Sequence, residues 1–127
     1  MIIADTSIWI EFLRGNPDVA PLMKSLLDDG RILALEAIFG ELMQGARNDA
    51  ERRILAEYWA ALPKTAEAGL WIQAGRISGE SGWIGKGLGL IDAFIIVAAR
   101  SVSAKLWTLD KKILKEITDR EQYRVSE

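Results

Sequence analysis

A chain of 127 residues without a single histidine or cysteine excludes the Ser-His-Asp triad, the Cys-His pair and every histidine-based zinc site. Catalysis then falls to carboxylates, hydroxyls, lysine, arginine or a bound metal, and oxygen-only ligands select hard cations, magnesium or manganese before zinc. Half of the residues are hydrophobic, enough for the core of one domain over 1–127, while the net charge of −2 argues mildly against a nucleic-acid binder, which is usually basic.

Taken in order, residues 1–4 read as a short buried strand that delivers Asp5. Residues 7–14 read as a short helix stopped by Gly15. Asn16 and Pro17 suit an N-cap and a first helical turn, so a second helix is expected to about Asp29, with Gly30 as its stop. Residues 31–35 read as a second strand, and residues 36–47 as a helix whose stripe runs through Ile38, Leu42, Met43 and Ala46. Asn48 to Glu51 has the spacing of a capping box and opens a helix to about Ala61, ended by Pro63. Residues 66–81 read as a helix weakened by Gly69, Gly75 and Gly79, followed by a glycine-rich loop over 81–89. Residues 90–103 form a strongly apolar helix and residues 105–108 a third strand, with Asp110 just beyond it. A short helix over about 110–118 and a last strand over 123–125 close the chain. Short strands alternating with helices predict an α/β fold with a central parallel sheet flanked by helices on both faces.

The apolar start is short and lacks a basic leader, and the longest apolar run, residues 93–99, cannot span a bilayer. With no cysteine, the expected compartment is reducing, the cytoplasm.

Four acids stand out by position. In an open parallel sheet, ligands bind at the carboxyl ends of the strands, where Asp5 and Asp110 lie; each also suits a plain helix N-cap. Asp92 shares a helix face with Ile95, Ile96 and Ala99, and a carboxylate on a buried face is costly unless it is paired or binds a metal. A partly exposed charge at the helix start is the other reading. Glu41 borders the apolar stripe of its helix between Gly40 and Gly45, small residues that suggest close approach by another segment or a ligand; taken alone, a solvated helix residue is the commoner reading.

Four segments in order, MIIADTSIWIEFLRG, Glu41-Leu42-Met43-Gln44-Gly45, GLIDAFIIVAA and LWTLDKKI, resemble the PIN-domain nucleases, specifically the VapC-like toxins of bacterial and archaeal toxin–antitoxin pairs. The resemblance covers nearly the whole chain. It implies a PIN fold in which Asp5, Glu41, Asp92 and Asp110 hold one or two divalent ions, Mg2+ or Mn2+, with Ser7 and Thr108 as polar supports. It also implies a metal-dependent endoribonuclease, the toxin of a type II module. A homodimer is expected, forming a higher hetero-oligomer with a VapB-like antitoxin that inserts an amphipathic helix and a basic side chain near the acids. An inactive PIN-fold RNA- or protein-binding module is the alternative, and would predict a lost acid. A receiver domain normally has an acidic pair after its first strand, and a haloacid-dehalogenase-like phosphatase an Asp-x-Asp step; Asp5-Thr6-Ser7 offers neither.

Phosphodiester hydrolysis needs an activated water and stabilised phosphoryl charge, and metal ions supply both without histidine. They also mask the negative field facing RNA. If the acids converge, mutual repulsion is expected to raise some of their pKa values. Arg14, Arg47, Lys111 and Lys112 stand as candidates for backbone contacts. Lys86 is either a phosphate contact or a solvated loop lysine. Trp83 either stacks on a base or packs beneath its loop, and Trp9 belongs to the core or to a dimer surface.

Overall fold

Three buried residues, Ile2–Ala4, form β1, and Lys105–Trp107 form β2. The computed structural model, which describes residues 1–125, pairs them in parallel, Ile2 opposite Lys105, Ile3 opposite Leu106 and Ala4 opposite Trp107. Isolated parallel bridges extend this pair on both sides: Ile2 with Ile32 and Ala34 with Lys64 on one flank, Leu106 with Gln122 on the other. The expected strands at 31–35 and 123–125 are thus reduced to single bridges, the latter one residue early. The outer pairing is short for a local reason. Ala34 donates to the carbonyl of Pro63 at 2.9 Å, and Pro63 has no N–H with which to continue the ladder.

The described residues form seven helices about this parallel pair. α1 (Thr6–Leu13) opens at Asp5, whose side chain accepts from the Ile8 N–H; beyond it Gly15 takes φ +76°. α2 (Ala20–Asp28) starts later than the Asn16-Pro17 pair suggested. The Asn16 side chain instead accepts from the Asp18 N–H at 2.9 Å, a local turn that competes with helix entry, and Pro21 takes the first helical turn. α3 (Glu36–Gly45) and α4 (Asp49–Ala61) follow. Asn48 caps α4 through the Glu51 N–H at 2.9 Å. The reciprocal half of the expected capping box is displaced by one residue, because the Glu51 carboxylate accepts from the Arg47 N–H at 2.8 Å.

α5 (Leu70–Ser81) begins four residues later than expected, because Gly69 takes the left-handed conformation at its entrance. A single 3-10 turn, Ile84–Lys86, organises the glycine-rich loop. α6 (Leu90–Ser101) buries every residue from Ala93 to Ala99, so it runs through the core. α7 (Lys111–Leu114) is shorter than expected. α1 packs on β1 and on α3, and α6 packs on β2 and α5.

Trp9 is fully buried, with edge contacts to Phe12, Phe39 and Tyr58 at centroid separations of 5.9, 5.2 and 5.3 Å; it is core. Trp83 is buried beneath its loop with the Arg100 guanidinium 6.0 Å from its ring. It packs there and offers no face to a base. Among the described residues, no helix is long and apolar enough to cross a membrane.

Candidate active site

The carboxyl ends of β1 and β2 lie side by side because the strands pair in register, and Asp5 and Thr108 are the residues that follow them. The Asp5 N–H donates to the Trp107 carbonyl at 2.9 Å, which continues the ladder one step and fixes Asp5 at the sheet's end. Its side chain is buried. The Ser7 hydroxyl donates to Oδ1, the Thr108 hydroxyl donates to Oδ2, and the Ile8 N–H donates to Oδ1 at 3.3 Å.

Both hydroxyls are themselves oriented. The Leu109 N–H donates to Ser7 Oγ at 3.2 Å, and the Asp110 N–H donates to Thr108 Oγ1 at 2.9 Å. A hydroxyl has one hydrogen, so accepting from the backbone directs that hydrogen at Asp5. Burial pushes the Asp5 carboxyl above its ordinary value, against the opposing pull of Ser7, Thr108 and the backbone N–H groups. The rise therefore comes from burial, not from the neighbouring carboxylates that the sequence led us to expect.

Glu41 reaches the same region from α3. The Thr6 hydroxyl donates to its Oε1 at 2.6 Å, so α1 holds Asp5 at its cap, Ser7 against Asp5 and Thr6 against Glu41. Asp110 caps α7 by accepting from the Lys112 N–H at 2.9 Å. Asp92 lies in the first turn of α6, where its Oδ2 accepts from the Gly89 N–H at 3.0 Å. It is half-exposed rather than buried with Ile95 and Ile96. The desolvation argument for Asp92 therefore does not hold, and its place at the helix start is electrostatically comfortable. Capping and a functional role are not exclusive: Asp5, Asp92 and Asp110 all satisfy helix-entry N–H groups and still face the strand ends or the adjoining loop.

Asp5, Ser7, Thr108 and Asp110 are thus linked by hydrogen bonds, and Glu41 is held by the same helix. Among the described residues, no three acids are packed closely enough to form a ready-made metal-holding group. The donor chemistry nevertheless fits a hard cation. One oxygen each of Glu41, Asp92 and Asp110 accepts no hydrogen bond from a described residue. Magnesium commonly takes only one or two carboxylates and keeps water in its other positions.

Thr6 is the site residue that the sequence reading missed. Its signal was three consecutive oxygen-bearing residues, Asp5-Thr6-Ser7, at a strand end. Successive helical positions point about 100° apart, so Thr6 and Ser7 cannot serve the same acid.

A groove of about 390 Å3 opens beside Glu41, lined in part by Ile10, Leu13 and Leu55 and by Arg14 and Arg47. Arg14 pairs with Glu11 at 3.4 Å and Arg47 with Glu51 at 2.8 Å. Lys86 pairs with Glu116 at 2.6 Å, so it is a loop tether rather than a free cation.

The strand ends thus carry a buried, hydroxyl-held aspartate, with Glu41 tied through Thr6 to the helix that Asp5 caps and Asp110 tied to Thr108. The sequence model of the PIN domain matches residues 2–119, and the chain belongs to the PIN domain family. Its likeness is VapC-like: it is 32% identical over 118 residues to ribonuclease VapC32 of Mycobacterium tuberculosis, covering 89% of this chain and 87% of that protein. Solved structures share the fold as well. PAE2754 from Pyrobaculum aerophilum superposes with a TM-score of 0.62 at 17% identity, covering 96% of this chain and 88% of that one. FitAcB from Neisseria gonorrhoeae gives a TM-score of 0.62 at 21% identity, covering 91% of each chain.

Proposed function

We propose that this chain is a Mg2+- or Mn2+-dependent endoribonuclease and the toxin of a type II toxin–antitoxin module, acting in the cytoplasm. The observation that carries the reading is the buried Asp5 carboxylate at the sheet's end, gripped by Ser7 and Thr108. The likeness to a ribonuclease supports it. Asp5, Glu41, Asp92 and Asp110 are the residues that would hold the metal. When bound there, a divalent ion supplies Lewis-acid polarisation of the scissile phosphate and lowers the pKa of a water.

The rest of the work belongs to the chain. Ser7 and Thr108 fix the Asp5 carboxylate in one orientation, so no reorganisation is needed when the phosphate arrives. Thr6 fixes one oxygen of Glu41 and leaves the other available. The N–H groups of Gly89 and Lys112 do the same for Asp92 and Asp110. Hydrolysis delivers hydroxide to phosphorus, breaks the bond to the leaving oxygen and returns a proton to that oxygen. A VapB-like antitoxin helix suits the groove beside Glu41, where apolar Ile10, Leu13 and Leu55 meet charged Arg14, Arg47 and Glu41. The assembly we propose is a homodimer that joins its antitoxin in a higher hetero-oligomer.

The test is cleavage of single-stranded RNA by purified protein in magnesium or manganese. Cleavage that stops on adding chelator and resumes on restoring metal supports the proposal. RNA binding without cleavage in either metal would favour an inactive PIN-fold binding module instead.

A further inference from the structure

Gly87 adopts φ +85°, and its missing side chain makes room for a lysine. A Cβ at this position would lie 3.1 Å from Lys112 Cδ, 3.5 Å from Cε and 3.7 Å from Nζ. The Lys112 stem therefore lies against the glycine-rich loop, and its ammonium is held near the loop backbone. Two residues further along that loop, the Gly89 N–H holds Asp92 at 3.0 Å. At its other end, the Lys112 N–H holds Asp110 at 2.9 Å. One lysine thus bridges the loop that positions one acid and the helix capped by another.

The lysine on that loop is engaged: Lys86 pairs with Glu116 at 2.6 Å. Among the described residues, Lys112 makes no ion pair with any carboxylate. Its ammonium keeps its donors while packing against Gly87 restricts its position. A compact, strongly hydrated ammonium is suited to a phosphate as a point charge. Held between the loop that carries Gly89 and the helix that Asp110 caps, it supplies local positive charge to a chain whose net charge is −2.

The geometry points to Lys112 as the residue that contacts a backbone phosphate of bound RNA, alongside Asp92 and Asp110. This rests on the nuclease reading above and adds to it the residue that seats the substrate's backbone. The contact carries no base information, so it acts equally on all sequences.

The experiment measures RNA binding in an Asp5→Asn background with magnesium, using labelled single-stranded RNA oligonucleotides of several sequences. Lys112→Gln is expected to weaken binding about fivefold on every sequence and to reduce the slope of log affinity against log salt by about 0.7, one phosphate contact on a single strand. Lys112→Arg is expected to retain most of the affinity. Lys105→Gln, which removes the same charge at the opposite end of β2, is expected to bind like the parent. Unchanged affinity and slope in Lys112→Gln overturn the inference, and so does an equal loss in Lys105→Gln, which would mean that only net charge matters. A parent that binds no RNA overturns the nuclease reading and this inference together; a parent that binds normally while Lys112→Gln binds equally overturns this inference alone.

Discussion

Thr108 donates its hydroxyl hydrogen to the buried carboxylate of Asp5, 103 positions away in the chain. The bond joins the ends of the two paired strands and consumes the one hydrogen of the Thr108 hydroxyl, which the Asp110 N–H directs from behind. Valine at position 108 keeps the shape and removes the donor. A buried carboxylate that loses a donor keeps its desolvation cost, so Thr108→Val is expected to lower stability by about 1–3 kcal/mol. Urea denaturation checks this. In an Asp5→Asn background the same change is expected to cost less, because no buried charge is left short of a partner.

Thr6 acts on the other acid. Its 2.6 Å bond to Glu41 fixes one carboxylate oxygen and so the direction of the second. Thr6→Ala is expected to lower kcat for RNA cleavage by about tenfold with little change in KM, since small misplacements of a catalytic group are costly. Thr6→Ser is expected to restore it. A melting curve close to that of wild type would separate this effect from loss of fold.

Two glycines are expected to respond in opposite directions. Gly87→Ala forces a Cβ into a left-handed position and against the Lys112 stem, which is expected to cost about 1–2 kcal/mol. Gly79 lies inside α5 with open space around it and no positive φ. Gly79→Ala is expected to stabilise by about 0.5–1 kcal/mol through helix propensity. Thermal melts of the two variants make the comparison.

Glu121 sets an acid-dependent contribution. Burial alone would push its carboxyl up, but the Arg100 guanidinium at 2.6 Å and the Thr118 N–H at 2.9 Å outweigh it and hold the group below its ordinary value. The folded state then keeps the charge at a pH where the unfolded state has taken up a proton. The contribution is present above the ordinary glutamate value and is lost as pH falls through the lowered folded value. Arg100→Gln is expected to cost under about 1 kcal/mol at neutral pH for the pair itself. That difference is expected to shrink on acidification through the carboxylate range. Urea midpoints of the two proteins at neutral and acid pH measure it.

Much of the fold was legible because the apolar pattern changes period at each boundary. The three-residue run before Asp5, the seven buried residues after Asp92 and the strand before Asp110 are each written in one continuous segment. The outer strands were overread: residues 32–34 and 122 are strand-like in composition or position, but their extent depends on partners such as Pro63, which cannot donate. The start of α2 was misplaced because the Asn16 side chain serves a turn as readily as a cap. At the site, Asp5, Asp92 and Asp110 could be picked out by their strand-end and helix-start positions, and Glu41 by its place between two glycines. Their supports depend on how helices dock: the direction of Thr6 is decided by α3, and the burial of Trp83 by packing beneath its loop against Arg100. The burial of Asp5 and the exposure of Asp92 are tertiary outcomes too, and they reversed which of the two would pay for desolvation.

The proposed metal-dependent nuclease site is anchored on Asp5. Its most direct test is cleavage of single-stranded RNA in magnesium by wild type and by Asp5→Asn, with circular dichroism confirming that both are folded. Asn keeps the size and the hydrogen-bonding oxygen while removing the anionic charge that a hard cation needs. We expect metal-dependent cleavage by wild type and none by a folded Asp5→Asn protein, with Asp92→Asn behaving alike. Full activity in Asp5→Asn would rule out Asp5 as the anchor of such a site.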